Sequence, residues 1–231
     1  SSSSSSPRRV VSDGIMSPEE CRKLIAVSVL GMRRAIQVGH RGSIRLATRA
    51  SLRLLGSAGS ELLEIVKRRV LTRIETDYQA SPIFVGGTIS RLVDSIPPED
   101  AHQADHGHKH WEPTSNWDSL SGKEGTEWMA TIFLNSQHHD DTKHHTNLTS
   151  SSYGFTGGEI VFLDADANRY VHPLEGRLVT MANGPGSSHY TTKVADPCEA
   201  DEFCAKAHTR ARAASFRIDM WFSTAPRVML T

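Results

Sequence analysis

From residue 81 onward the apolar residues come in short β-rich runs: PIFV, TISRLV, WMATIFLN, GGEIVFLD, RYVHP, GRLVTMAN, SHYTTKV and SFRIDMWFS. Gly, Pro, Asn and Asp break them apart. Runs of this length and punctuation argue for an antiparallel sandwich or barrel rather than alternating parallel βαβ units. Two polar insertions, SQHHDDTKHHTNLTSSSYGFT and ADPCEADEFCAKAHTRARA, interrupt the series, and such segments commonly flank a binding mouth.

Two helices precede the strands. In SPEECRKLIAVSVLGMRRAI, Ser17 is the expected N-cap, Pro18 takes the first helical position and Glu20 completes a capping box. Ile25, Val29, Met32 and Ile36 then share one face. After GSAGS, Ser60 is placed to cap ELLEIVKRRVLTRIETDY, in which Leu62, Val66 and Val70 form an apolar stripe that would support a sheet. The fold class expected is α+β, helices first. Residues 1–12, opening SSSSSSPRR, have a composition that buries no surface and are expected to form a disordered tail. Residues 13–231 then make one domain, 13–80 as helical support and 81–226 as the jelly-roll core.

The chain has 231 residues, 38% of them hydrophobic, enough for one real core. Its 26 Lys and Arg balance 26 Asp and Glu, so net charge recommends neither nucleic acid nor an anionic membrane as partner. No apolar run is long enough to span a bilayer, and the amino terminus shows no signal-peptide core. Cys198 and Cys204 lie close enough in sequence to close a small ring in an oxidising compartment, free thiols being the alternative. Asn147-Leu148-Thr149 fits the N-glycosylation triplet. Together these favour the secretory pathway or the endoplasmic reticulum lumen, with the cytoplasm as the other compartment. They fix no oligomeric state.

The stretch DAHQADHGHKHW, residues 100–111, gathers four histidines and two aspartates. A jelly roll that binds a redox metal commonly takes two ligands from the end of one strand and a third from a later strand facing it. The first pair is sought in HQADHGHKH, and the distant partner is His189, which opens a predicted strand after the glycine-rich turn in GPGSSHYTTKV. Two histidines and one carboxylate leave three coordination positions open on one side of iron(II), for a co-substrate bound in two places and dioxygen in the third. Asp105 is the only carboxylate inside the histidine cluster.

The order of these features resembles the iron(II)- and 2-oxoglutarate-dependent dioxygenases of the prolyl hydroxylase type, and among them the prolyl 3-hydroxylase (leprecan-like) catalytic domain. DGIMSPEEC resembles the family's opening helix, TISRL the strand before the metal, QADH its His-Ala-Asp-Asn or His-Ala-Asp-His run, and TIFLN its Tyr-Leu-Asn strand. GGEIVF, GRLVTMANG, SSH and MWFS follow in the family's order, so the resemblance runs over most of the chain. It implies a double-stranded β-helix and hydroxylation coupled to oxidative decarboxylation of 2-oxoglutarate, with release of succinate and CO2. The implied cofactors are Fe(II) and 2-oxoglutarate, with ascorbate as an optional accessory. The implied substrate is an amino-acid residue, prolyl in a peptide first, or a small molecule.

Two positions depart from the family pattern. Gln103 stands where the first metal histidine is expected. Either a one-residue bulge brings in His102, giving His102, Asp105 and His189 as the metal set, or the ligands come from His106, His108 and His110. The basic anchor for the distal carboxylate of 2-oxoglutarate falls at Ser215, which cannot make the charged two-pronged contact of an arginine. Arg217 lies two residues on, on the same face of an alternating strand, and is the replacement; Thr131, in the TIFLN strand, and Ser215 complete the implied cofactor set. Pairing with Asp219, or a solvent position, is the other reading of Arg217.

Other readings stay open beside this one. HHDDTKHH, residues 138–145, reads as solvated, since no apolar scaffold would hold ligands still, and Asp118 is an alternative carboxylate to Asp105. Trp111, Trp117 and Trp128 are expected to pack in the core or at a pocket rim. A cupin-type metal enzyme with no need of 2-oxoglutarate would use His106, His108, Glu112 and His189. A metal-free domain derived from the same fold would bind peptides or partners.

Overall fold

Ser17 and Glu20 close the expected capping box. The Ser17 N–H donates to the Glu20 carboxylate at 2.8 Å and the Glu20 N–H to the Ser17 hydroxyl at 3.2 Å. In this computed structural model, which describes residues 9–36, 43–46, 49–93, 126–137, 155–184, 187–192, 194 and 214–224, the box opens helix α1, Pro18–Ile36. The buried face of α1 is Cys21, Leu24, Ile25, Ser28, Gly31 and Met32, whereas Val29 is only half-buried. The contact face is therefore turned toward Ser28 from the expected Ile25–Val29–Met32 line; the Ile36 side chain lies outside the described residues. After the short α2, Arg49–Arg53, helix α3 runs Gly56–Tyr78.

Helix α3 begins about one turn before the cap expected at Ser60. The small residues of GSAGS are part of it: a Cβ on Gly59 would lie 2.9 Å from the Val27 side chain of α1, so the helices approach closely at this turn. Tertiary packing here overrides a local cap signal. The Ser60 hydroxyl instead donates to the Leu52 carbonyl at 3.1 Å. The buried stripe is Gly59, Leu63, Val66, Val70, Ile74 and Tyr78, at helical spacing, with Leu62 half-buried beside it. No helix among the described residues is long and apolar enough to cross a membrane.

Among the described residues, nine antiparallel strands form two sheets: β1 Arg9–Ser12, β2 Ser43–Arg45, β3 Ile83–Val93, β4 Trp128–Phe133, β5 Ile160–Phe162, β6 Arg169–Val171, β7 Leu178–Ala182, β8 His189–Thr191 and β9 Ala214–Ser223. The larger has the order β1-β7-β4-β9-β3-β2 and the smaller β6-β5-β8. Most expected runs are strands, with PIFV and TISRLV fused into β3 across an irregularity between Phe84 and Gly86. The expected tail is corrected at its end. Arg9–Ser12 pairs with β7, from Arg9 opposite Met181 to Ser12 opposite Leu178, because Val10 packs on the core and Arg9 forms an ion pair with Asp164. Residues 1–8, the triplet at Asn147, the stretch 138–145, Cys198, Cys204, Trp111 and Trp117 lie outside the described residues.

Side-chain alternation gives the larger sheet two different faces. On β9, Ala214, Phe216, Ile218, Met220 and Phe222 join Ala130 and Ile132 of β4 and the helices in one core. Trp128 belongs to it as well, its ring 6.4 Å from that of Tyr78. Each fully buried Phe there contributes about 2–3 kcal/mol of transfer free energy. Met129 and Phe133 of β4 and Val179 and Met181 of β7 face the other way, onto Ile160 and Phe162 of the smaller sheet. The result is an α+β double-stranded β-helix with helices on the outer face of the larger sheet, and its interior is where the odd-numbered residues of β9 point.

Candidate active site

The interior face of β9 carries Ser215, Arg217, Asp219 and Trp221, an unusually polar series for the middle of a sandwich. The Arg217 Nε donates to Asp219 Oδ2 at 2.9 Å, a pair formed two residues apart on one strand face. Asp219 is directly opposite Thr131 on β4, and the Thr131 hydroxyl donates to Asp219 Oδ1 at 2.7 Å. Both carboxylate oxygens are thereby engaged in a residue only 4% exposed. Arg217 then reaches across the interior, its Nη1 donating to the Thr191 hydroxyl on β8 at 2.8 Å. One guanidinium thus ties the larger sheet to the smaller.

His189 lies two residues before Thr191 and so shares its inward face of β8. It is 6% exposed, and its Nδ1 is 2.7 Å from the Ser187 carbonyl oxygen. A carbonyl can only accept, so Nδ1 carries the proton, and in the neutral ring the lone pair is on Nε2, the arrangement usual for a metal-ligating imidazole. Phe162 is directly opposite His189 on β5, the rings 5.7 Å apart and inclined at 47°. The Arg9 guanidinium sits 4.4 Å from the centre of the Phe162 ring, over it, and forms an ion pair with Asp164. The histidine therefore has a dry aromatic wall and a fixed tautomer.

Strand β3 adds hydroxyls to the same face. Thr88 is opposite Asp219, Ser90 opposite Arg217 and Leu92 opposite Ser215. Ser215 is fully buried, and its hydroxyl has no hydrogen-bond partner among the described residues. Buried hydroxyls are nearly always satisfied, so this one, on the face that carries Arg217, has hydrogen-bonding capacity to spare.

Of the residues singled out from the sequence, His189, Arg217, Thr131 and Ser215 come together on this inner surface. Arg217 pairs with Asp219, as the second reading of it had, and its guanidinium faces the interior. His102, Asp105, His106 and His108, with Gln103, His110, Glu112 and Asp118, lie outside the described residues. The sequence reading missed Thr191 and the central place of Asp219. Each had a signal, Thr191 at two residues past His189 and Asp219 at two past Arg217, in strands whose alternation puts such neighbours on one face.

No family model matches the sequence, and no curated protein does. Among solved structures, the chain is similar to the viral collagen prolyl hydroxylase of Paramecium Bursaria Chlorella virus-1, determined as its 2-oxoglutarate complex. The TM-score is 0.53 at 11% identity, over 95% of this chain and 97% of that one. The fold is that of the prolyl hydroxylases. A structure of a Phytophthora capsici prolyl 4-hydroxylase gives the same TM-score of 0.53 at 12% identity, over 95% of this chain and 60% of the other. At such identity the likeness concerns backbone architecture, and the chemistry rests on the residues described above.

Proposed function

We propose that the chain is an iron(II)- and 2-oxoglutarate-dependent oxygenase that hydroxylates an amino-acid residue, prolyl in a peptide first, or a small molecule, releasing succinate and CO2. The observation that carries this reading is the convergence of His189 and Arg217 on the interior of the sandwich, linked through Thr191. A metal ligand and a carboxylate anchor are the two fixtures that a keto-acid co-substrate requires, one at each end.

The residues present fit both groups. His189, held as the Nδ1–H tautomer by Ser187, would ligate iron through Nε2, with His102 and Asp105 as partners or His106 and His108 in their place. Arg217 and the Ser215 hydroxyl, which has no partner among the described residues, would take the distal carboxylate, with Thr131 acting through Asp219. When bound, iron would activate dioxygen, the oxidant, while 2-oxoglutarate would supply two electrons as it is oxidised to succinate and CO2. The protein's own part is to orient and to keep water out: Thr191 and Asp219 fix the guanidinium, and Phe162 shields the imidazole. Arg217 is half-buried and ties β9 to β8 under either reading, but a cupin-type site built on His106, His108, Glu112 and His189 makes no use of its remaining donors, which favours the oxygenase. The prolyl 3-hydroxylase resemblance orders the substrates to try, collagen-like prolyl peptides first, with ascorbate as accessory. The glycosylation triplet and the cysteine pair favour a secretory setting.

Metal content and turnover test the proposal together. Iron should bind at one equivalent and be lost in Asp105→Ala and His189→Ala, and succinate release should require 2-oxoglutarate and fall at least about a hundredfold in Arg217→Ala. Metal-dependent turnover indifferent to 2-oxoglutarate and to Arg217 would overturn it in favour of the cupin reading. A metal-free protein of normal stability would overturn it in favour of a binding domain.

A further inference from the structure

We infer that Asp219 is a specificity-determining residue that lowers the site's affinity for anions, a built-in carboxylate that holds Arg217 in position and offsets its charge. The inference rests on the oxygenase reading above and concerns how tightly the co-substrate's distal carboxylate is held.

Three observations support it. Asp219 is held in place, since one oxygen accepts from Arg217 and the other from Thr131 in a buried setting. The Arg217 donors are partly engaged, because two of a guanidinium's five N–H groups already serve Asp219 and Thr191. The charge is compensated within the strand, so an incoming carboxylate meets a guanidinium with a negative partner 2.9 Å from its Nε. In this largely buried setting that second carboxylate repels a ligand anion and so offsets part of the guanidinium's attraction. Attraction at this end then comes mainly from hydrogen bonding, through the remaining guanidinium donors and the hydroxyls of Ser215 and Ser90. Selection among ligands accordingly shifts to the keto-acid end, where the metal is expected. A simple dicarboxylate, glutarate or the product succinate, should bind weakly.

Asp219→Asn separates this role from a structural one. The amide keeps an acceptor for Arg217 and a polar contact for Thr131 while removing the charge, so damage to the site would weaken binding whereas loss of the counter-charge would strengthen it. The full chain in the presence of manganese(II) would be titrated calorimetrically with 2-oxoglutarate and with glutarate. The expected result is tightening by about tenfold or more for both ligands in Asp219→Asn, with a larger ligand-induced rise in melting temperature than in wild type. Asp219→Ser, which also removes the charge, should tighten both in the same direction and serves if the asparagine variant does not fold. Equal or weaker binding in the folded variants would overturn the role assigned to Asp219. Absence of 2-oxoglutarate binding in wild type and variants alike would overturn the co-substrate reading itself.

Discussion

Thr131 and Asp219 stand opposite each other on β4 and β9, their buried side chains joined by a 2.7 Å hydrogen bond. The bond is made inside the sandwich, where a hydroxyl donating to a carboxylate is worth more than it is at a surface. Thr131→Val keeps the shape and deletes the donor. It should destabilise the protein by about 2 kcal/mol, seen as a lower urea midpoint at unchanged slope. An unchanged midpoint would show that Asp219 is satisfied without Thr131.

The amino-terminal strand gives a second expectation. Arg9 lies over the Phe162 ring and pairs with Asp164, and its strand completes the ladder on β7. Arg9→Ala should cost about 1–2 kcal/mol through the lost cation–π contact and the stem's packing. Removal of residues 1–12 should lower the melting temperature further. A truncated protein that melts with the full chain would contradict the strand.

Acid should weaken the attachment of α1. The hydrogen bond from Arg69 holds the Glu20 carboxyl below its ordinary value of 4.5, with burial opposing and the Ser17 N–H assisting. Arg177 lowers Asp13 likewise, again with burial opposing. Because each group releases its proton more readily folded than unfolded, its contribution is full above the ordinary carboxylate range and is lost as pH falls through the folded pKa. Glu20→Gln retains capping-box chemistry and loses only the charge, so it should be less stable than wild type by about 0.5–1 kcal/mol at neutral pH. That gap should close on acidification. Denaturant titrations at pH 7 and at about pH 3 measure it.

The Cys21 thiol is fully buried in the core under α1, and burial, with the nearby Glu175 charge adding to it, pushes its pKa up to about 12. Only the thiolate reacts, so iodoacetamide at mildly alkaline pH should leave Cys21 unlabelled in the native protein and label it in denaturant. Peptide mapping reads this directly. Native labelling would place the thiol at the surface.

What could be read from the sequence tracks how local its causes are. In SFRIDMWFS the alternation of Phe216, Ile218 and Met220 with Arg217 and Asp219 announces both the strand and its two faces, and the structure keeps that order. The capping box at Ser17 and Glu20 is equally local and was readable to the residue. The RVVS strand was not, because nothing near it in sequence shows that its partner is β7, whose Thr180 is 170 residues beyond the Val10 it faces. The strand SIR is too short to leave a pattern, and Gly86-Gly87 breaks the apolar run of β3 into what reads as two strands. On α1 the small Ser28 is buried and the larger Val29 only half-buried, an outcome that hydrophobicity alone does not predict. Within the candidate site, His189 and Arg217 were legible from strand position, and the choice among His102, Asp105, His106 and His108 lies in residues outside those described.

The two faces of β9 have a consequence for how such a chain can vary. Inserting or deleting one residue there would act like a frameshift, sending the guanidinium toward the helices and a phenyl ring into the polar interior, so every downstream position would lose its meaning at once. Lengths elsewhere can drift, but this segment can change only by substitution or in steps of two, which makes it a fixed ruler against which distant relatives can be aligned when little else in their sequences agrees.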